Sequence, residues 1–140
     1  MTKRRFKWHV MALMGLACLL VGPLGPVALG VPGSWVGEPS GVRVAVAGRA
    51  TDSERIRPSS EIAAGHRLQS VRWRFSIAPG HRVDAWLCHP AQCIPLSSQQ
   101  GQSDALAGKS ATQPLWFRFR LPDGATAVSV TQLQLIAEFR

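Results

Sequence analysis

Three stretches of this chain alternate apolar with other residues at a period of two, a pattern that strands satisfy and helices do not. They are Val42-Arg43-Val44-Ala45-Val46, Val71-Arg72-Trp73-Arg74-Phe75-Ser76-Ile77 and Leu115-Trp116-Phe117-Arg118-Phe119-Arg120-Leu121. Successive side chains of a strand point to opposite faces, so each stretch is suited to bury one face and wet the other. Pro79-Gly80 marks a turn ahead of Val83-Asp84-Ala85-Trp86-Leu87, and Pro122-Asp123-Gly124 ends the third alternation. Val128-Ser129-Val130 and Leu133-Gln134-Leu135-Ile136-Ala137-Glu138-Phe139 supply two further strands. Beyond residue 30 no segment sustains a helical period. Many short strands punctuated by Gly and Pro predict an all-β fold, a small antiparallel β-sandwich, immunoglobulin-like or barrel-like.

The first thirty residues have a different character. A basic start, Met1 to His9, leads into an uncharged and mostly apolar run from Val10 to Val21, which Gly22, Pro23, Gly25 and Pro26 then break. Ala28-Leu29-Gly30 places small residues where a signal peptidase reads. The order predicts a cleavable secretory signal over residues 1–30, cut after Gly30 or, alternatively, after Ala28. A retained anchor fits less well, since the apolar run falls short of the ~20 residues that cross a bilayer as a helix. Gly15-Leu16-Ala17-Cys18 has Gly15 where a lipidation site wants an aliphatic residue, and Arg4-Arg5 lacks the rest of a twin-arginine signal. The expected organisation is a signal peptide at 1–30 and one periplasmic domain at 31–140, without a membrane anchor once cleaved.

Removing the leader changes the charge argument. The whole chain carries sixteen basic and eight acidic side chains, net +8. Lys3, Arg4, Arg5 and Lys7 leave with the leader, so the remainder is only mildly basic, and its arginines are dispersed. Phosphate-backbone binding draws on a denser basic stripe, so no nucleic-acid partner is expected. The leader also takes Cys18, leaving Cys88 and Cys93 as an even pair in an oxidising compartment, which reads as a disulfide. Apolar residues flank both, in Trp86-Leu87 and Ile94-Pro95-Leu96, so the bridge is expected across a hairpin. A redox-active pair is more often spaced Cys-x-x-Cys at a helix start.

Thr51 to Gly65 and Ser97 to Gln113 read as surface loops, the second long enough to hold a short strand near Ala105-Leu106-Ala107. Alternation also assigns faces. If Val71, Trp73, Phe75 and Ile77 point inward, Arg72 and Arg74 point outward; likewise Trp116, Arg118 and Arg120 point away from Leu115, Phe117, Phe119 and Leu121. Were these two strands neighbours, Arg72, Arg74, Trp116, Arg118 and Arg120 would form one partner-binding face of the kind found at binding hot spots. The alternative is a solvated face with Asp84 and Glu138 pairing the arginines.

Catalytic chemistry has little support. His66, His81 and His89 read as loop histidines without metal-ligand spacing, and Asp84, Glu61 and Glu138 accompany no nucleophile elbow or Gly-rich phosphate loop. No catalytic residue, metal or cofactor is expected, and a binding module is the better reading than an enzyme. A carbohydrate or cell-wall binding module is one such class, because exposed Trp stacks on sugar rings; Trp73 is assigned to the core.

An ordered set of residues adds to this. It comprises Gly33-Ser34-Trp35, Gly41-Val42-x-Val44, Val71-x-Trp73-Arg74-Phe75, Val83-x-x-x-Leu87-Cys88-x-x-x-x-Cys93-x-x-Leu96 and Gln100-Gly101. Pro114-Leu115-x-Phe117, the turn Pro122-x-Gly124 and the ending Leu135-Ile136-x-x-Phe139-Arg140 complete it. The set resembles the FlhE family of periplasmic flagellar proteins over nearly the whole of residues 31–140. The chain departs from the pattern in its longer Gly/Pro-rich leader, its extra arginines and Trp116. The resemblance implies a non-enzymatic accessory role in flagellar biogenesis. It implies a chaperone-like or plug-like binder that regulates the flagellar type III export apparatus, its proton leak or rod assembly, with a protein partner in the export gate or rod.

Overall fold

The computed structural model describes residues 33–58 and 60–140, so the expected signal segment lies outside the described residues. The inward-facing rows of the alternating stretches decide the architecture. Val71, Trp73 and Phe75 lie on β4 (Leu68–Ser76) and Phe117 and Phe119 on β8 (Trp116–Arg120), all buried. Phe75 meets Phe117 and Phe119 edge-on, at ring-centroid distances of 6.4 and 5.4 Å. Such edge-to-face geometry suits the ring quadrupoles. These contacts bridge two sheets, and the buried cluster between them draws on both.

One sheet contains β1 (Gly33–Gly37), β9 (Val128–Phe139), β4 and β7 (Gln100–Ser103) in that order, with β2 (Val42–Val44) also pairing β9. The other runs β3 (Thr51–Asp52), β8, β5 (Asp84–His89), β6 (Gln92–Leu96). Every strand pair is antiparallel. The expected all-β antiparallel sandwich is what the chain forms, as two facing sheets.

Several expected boundaries move. The strand expected at Val42–Val46 ends at Val44, and Val46 is exposed. A strand that the alternation did not reveal, β1, precedes it with Trp35 turned inward. The strands expected at Val128–Val130 and Leu133–Phe139 are one strand, β9, which bulges where Gln132 adopts φ 53°. The bulge resets the inward face, so Val128 and Val130 are buried and so are Leu133, Leu135, Ala137 and Phe139. In the loop expected from Ser97 to Gln113, the strand is β7 and not Ala105–Ala107, where a turn instead drives Leu106 into the core. The loop expected from Thr51 to Gly65 holds β3 and a short helix α1 (Ser60–Ala63). Ser53 N–H donates to Phe117 O, and Ile56 and Leu115 exchange both backbone bonds, so this segment continues the edge beside β8.

Candidate protein-binding face

The hairpin of β5 and β6 is clipped by the expected disulfide, Cys88–Cys93, whose residues face each other in the register. His89, expected as a loop histidine, is instead buried at the end of β5. Its Nδ1 accepts the Ala91 N–H at 3.0 Å, which leaves Nε2 to donate to the Ser110 carbonyl at 3.2 Å. The ring thus ties the hairpin turn to the segment leading into β8. With Ala85 and Leu87 turned inward on β5, and Phe117 and Phe119 on β8, the intervening residues turn outward. The register lines them up: Asp84 opposite Arg120, Trp86 opposite Arg118, Cys88 opposite Trp116. Asp52 extends the Arg118 row on β3, and Pro95 extends the Trp86 row on β6.

Charges on this face are arranged by short contacts. Arg118 donates through Nε and Nη2 to the two carboxylate oxygens of Asp52, at 2.7 and 2.9 Å. The Arg118 hydrogen bond holds the Asp52 carboxyl below its ordinary 3.8, and the same bond raises the Arg118 guanidinium. A planar fork bound at both prongs has little freedom left. Arg120 is held more loosely, 3.9 Å from Asp84 with both side chains about half exposed. Its guanidinium carbon lies 5.6 Å from the Trp86 ring centroid. Between them opens a cavity of about 210 Å³ lined by Ala50, Trp86, Cys93, Arg118 and Arg120. A larger cavity, about 530 Å³, opens at one end of the sandwich above Phe75 and Leu96, with Arg82 and Asp84 at its rim.

Of the residues expected to form a partner face, Arg118, Arg120 and Trp116 share this sheet, but Arg72 and Arg74 do not. The two strands are not neighbours: β4 pairs with β9 and β7, so its arginines point out of the opposite side of the sandwich. Alternation tells a residue's side of its own strand, not which sheet the strand joins. Trp116 does turn outward, yet it is only 7% exposed, because Arg55 sits 4.0 Å above its ring centroid. The expected pairing of arginines with Asp84 and Glu138 is present. Arg72 reaches Glu138 Oε1 at 2.6 Å and Gln102 Oε1 at 3.2 Å, and Ser70 donates to Glu138 Oε2.

Trp86 was not among the expected site residues. Its signal was available: in Val83-Asp84-Ala85-Trp86-Leu87, an inward Ala85 and Leu87 turn Trp86 outward. It is partly exposed, whereas Trp35, Trp73 and Trp116 are buried. Among the described residues no cluster of three or more His, Cys, Asp or Glu side chains is placed to hold a metal ion. Nor is any described helix long and apolar enough to cross a membrane.

Residues 41–140 match the family model described as flagellar protein FlhE. The chain is 32% identical over 108 residues to the flagellar protein FlhE of Yersinia enterocolitica, covering 75% of each chain. It is 29% identical over 123 residues to that of Escherichia coli K12, covering 85% of this chain and 91% of the relative. In three dimensions it superposes on the crystal structure of FLHE with a TM-score of 0.70 at 24% identity, over 78% of this chain and 97% of the other.

Proposed function

Because the chain belongs to the FlhE family of flagellar proteins, we propose that it is a non-enzymatic accessory protein of flagellar biogenesis. In this reading it works in the periplasm as a chaperone-like or plug-like binder of a protein in the export gate or rod. There it regulates the flagellar type III export apparatus, its proton leak or rod assembly. The observation that carries the binding role is the outer face of the β3-β8-β5-β6 sheet. Its Arg118 guanidinium is fixed in advance by the Asp52 fork, and Trp86 stands on a disulfide-clipped hairpin. A surface whose side chains are already ordered loses less conformational entropy when a partner arrives. The periplasmic placement draws on two features. The leader at residues 1–30 reads as a secretory signal, and disulfides persist in oxidising compartments.

Deleting the gene in the source organism tests the role. The expected strain shows altered motility or flagellar placement, or a raised proton permeability of the envelope, and expression of the full chain restores it. A deletion strain equal to the parent in all three measurements removes the proposal. Fractionation with N-terminal sequencing of the purified protein tests the address: a chain beginning at or near Val31 in the periplasmic fraction is the expected result.

A further inference from the structure

Trp86, Arg118 and Arg120 make a cavity whose chemistry is more specific than that of a generic sheet face. Its lining is an indole, the exposed Cys93, a methyl from Ala50 and the stems and heads of two arginines. The space, about 210 Å³, suits one side chain rather than a whole ligand. Two cations stand at it, but they are not equivalent. Arg118 is neutralised by its fork on Asp52, while Arg120 has only the 3.9 Å contact with a half-exposed Asp84. An incoming carboxylate therefore finds Arg120 available and Arg118 already placed as a neighbouring donor.

We propose that this cavity docks a protein segment presenting an aromatic or apolar side chain next to a carboxylate, a reading that rests on the binder role above. The apolar group fills the space against Trp86, and the carboxylate takes the guanidinium of Arg120. Charge complementarity selects this occupant. A saccharide is a poorer match, since a sugar needs paired acceptors for its hydroxyls. Here the lining of Ala50, Trp86, Cys93, Arg118 and Arg120 offers no carboxylate or amide side chain, and the carboxylate nearest Arg118 is spent on it. A basic segment would bring like charge onto Arg120, which Asp84 offsets only at 3.9 Å.

Capped tripeptides test this with the protein as purified from cells, labelled with 15N. One carries phenylalanine between glutamate and aspartate, the other phenylalanine between two lysines; a chitin-type oligosaccharide is the third probe. The acidic peptide is expected to shift the Trp86 indole N–H and the Arg120 Nε–H saturably. Arg120→Ala, half exposed and remote from the core, is expected to weaken that binding about tenfold, as is added salt. Equal binding of the basic peptide, a shift by the oligosaccharide in place of the acidic peptide, or no saturable shift up to about 10 mM overturns the proposal. In cells, Trp86→Ala and Arg120→Glu are expected to fail in complementing the deletion while accumulating like the wild type. If both complement a defective deletion strain fully, the docking site is wrong and the flagellar role stands. If the deletion strain has no defect, the flagellar role fails, and the peptide titration judges the cavity alone.

Discussion

Trp73 is buried because the residue facing it has no side chain. It lies opposite Gly101 in the β4–β7 register, and its Nε1 donates to the Ser98 carbonyl at 2.9 Å. A Cβ placed on Gly101 would stand 2.5 Å from the Trp73 ring carbon Cζ2. Gly101→Ala is therefore expected to cost about 1–3 kcal/mol, the usual range for overpacking a filled core. Thermal unfolding followed by near-ultraviolet circular dichroism reads it as a lowered Tm; an unchanged Tm would mean that the indole turns aside at no cost. Asp52 gives a prediction with a pH sign. Its folded pKa is held below 3.8 by Arg118, so its contribution is present above the unfolded value and is lost as pH falls through the folded one. The pair is partly solvated, which limits the effect to about 1 kcal/mol or less. The gap in urea midpoint between wild type and Asp52→Asn is expected to be open at neutral pH and to close as the solution is acidified below the ordinary aspartate range. A gap that persists in strong acid would assign the effect to packing and not to charge.

At the scale of the element, the disulfide hairpin is the part whose stability follows most directly from the chain. Closing a loop of five residues' separation removes unfolded-state entropy worth about 2 kcal/mol, so Cys88→Ser with Cys93→Ser is expected to lower the unfolding free energy by about that much in urea melts. Access is unequal: Cys88 is fully buried and Cys93 is exposed. An external thiolate can reach only Cys93, and attack there expels the Cys88 thiolate at a position closed to water. Reduction of the folded protein by dithiothreitol is thus expected to be slow and to accelerate sharply in urea. Equal rates in the two conditions would show the bridge to be open to attack in the native state. The hairpin was legible because facing cysteines lay inside alternating apolar runs, and β4 and β8 were legible because their alternation is unbroken. β1 was hidden, since two of its five residues, Gly33 and Gly37, are glycines with no apolar signal. They are glycines for packing reasons, with Phe139 against Gly33 and Ile56 filling the space beside Gly37. β9 was split in the sequence because the bulge at Gln132 breaks the period at a polar residue. The candidate site was half legible. Faces follow from period two, whereas the sheet each strand joins follows from long-range pairing, and that is why Arg72 and Arg74 were placed with Arg118 and Arg120.

The whole molecule is organised around its last strand. β9 pairs with β1 and β2 on one side and β4 on the other, so it is the only described strand that pairs with three others. Arg140 exchanges backbone hydrogen bonds with Arg67, at 2.9 and 3.0 Å, just ahead of β4. Leu133, Leu135, Ala137 and Phe139 are each at most 3% exposed, so the second half of β9 is a wall of the core. β1 has no other strand to lie against, and β4 keeps only the short β7 without it. Local hydrogen bonds cannot compensate, because nearly every ladder joins strands distant in the chain, and such topologies fold late and cooperatively. A chain truncated after Gln132 is therefore expected to show no cooperative urea transition and to remain protease-sensitive. The milder Phe139→Ala is expected to retain the transition at a cost of about 3–5 kcal/mol. A cooperative transition in the truncated chain would show that the β3-β8-β5-β6 sheet folds by itself. If instead the truncated chain stays open, neither sheet folds without the second half of β9, and the two sheets form as one cooperative unit.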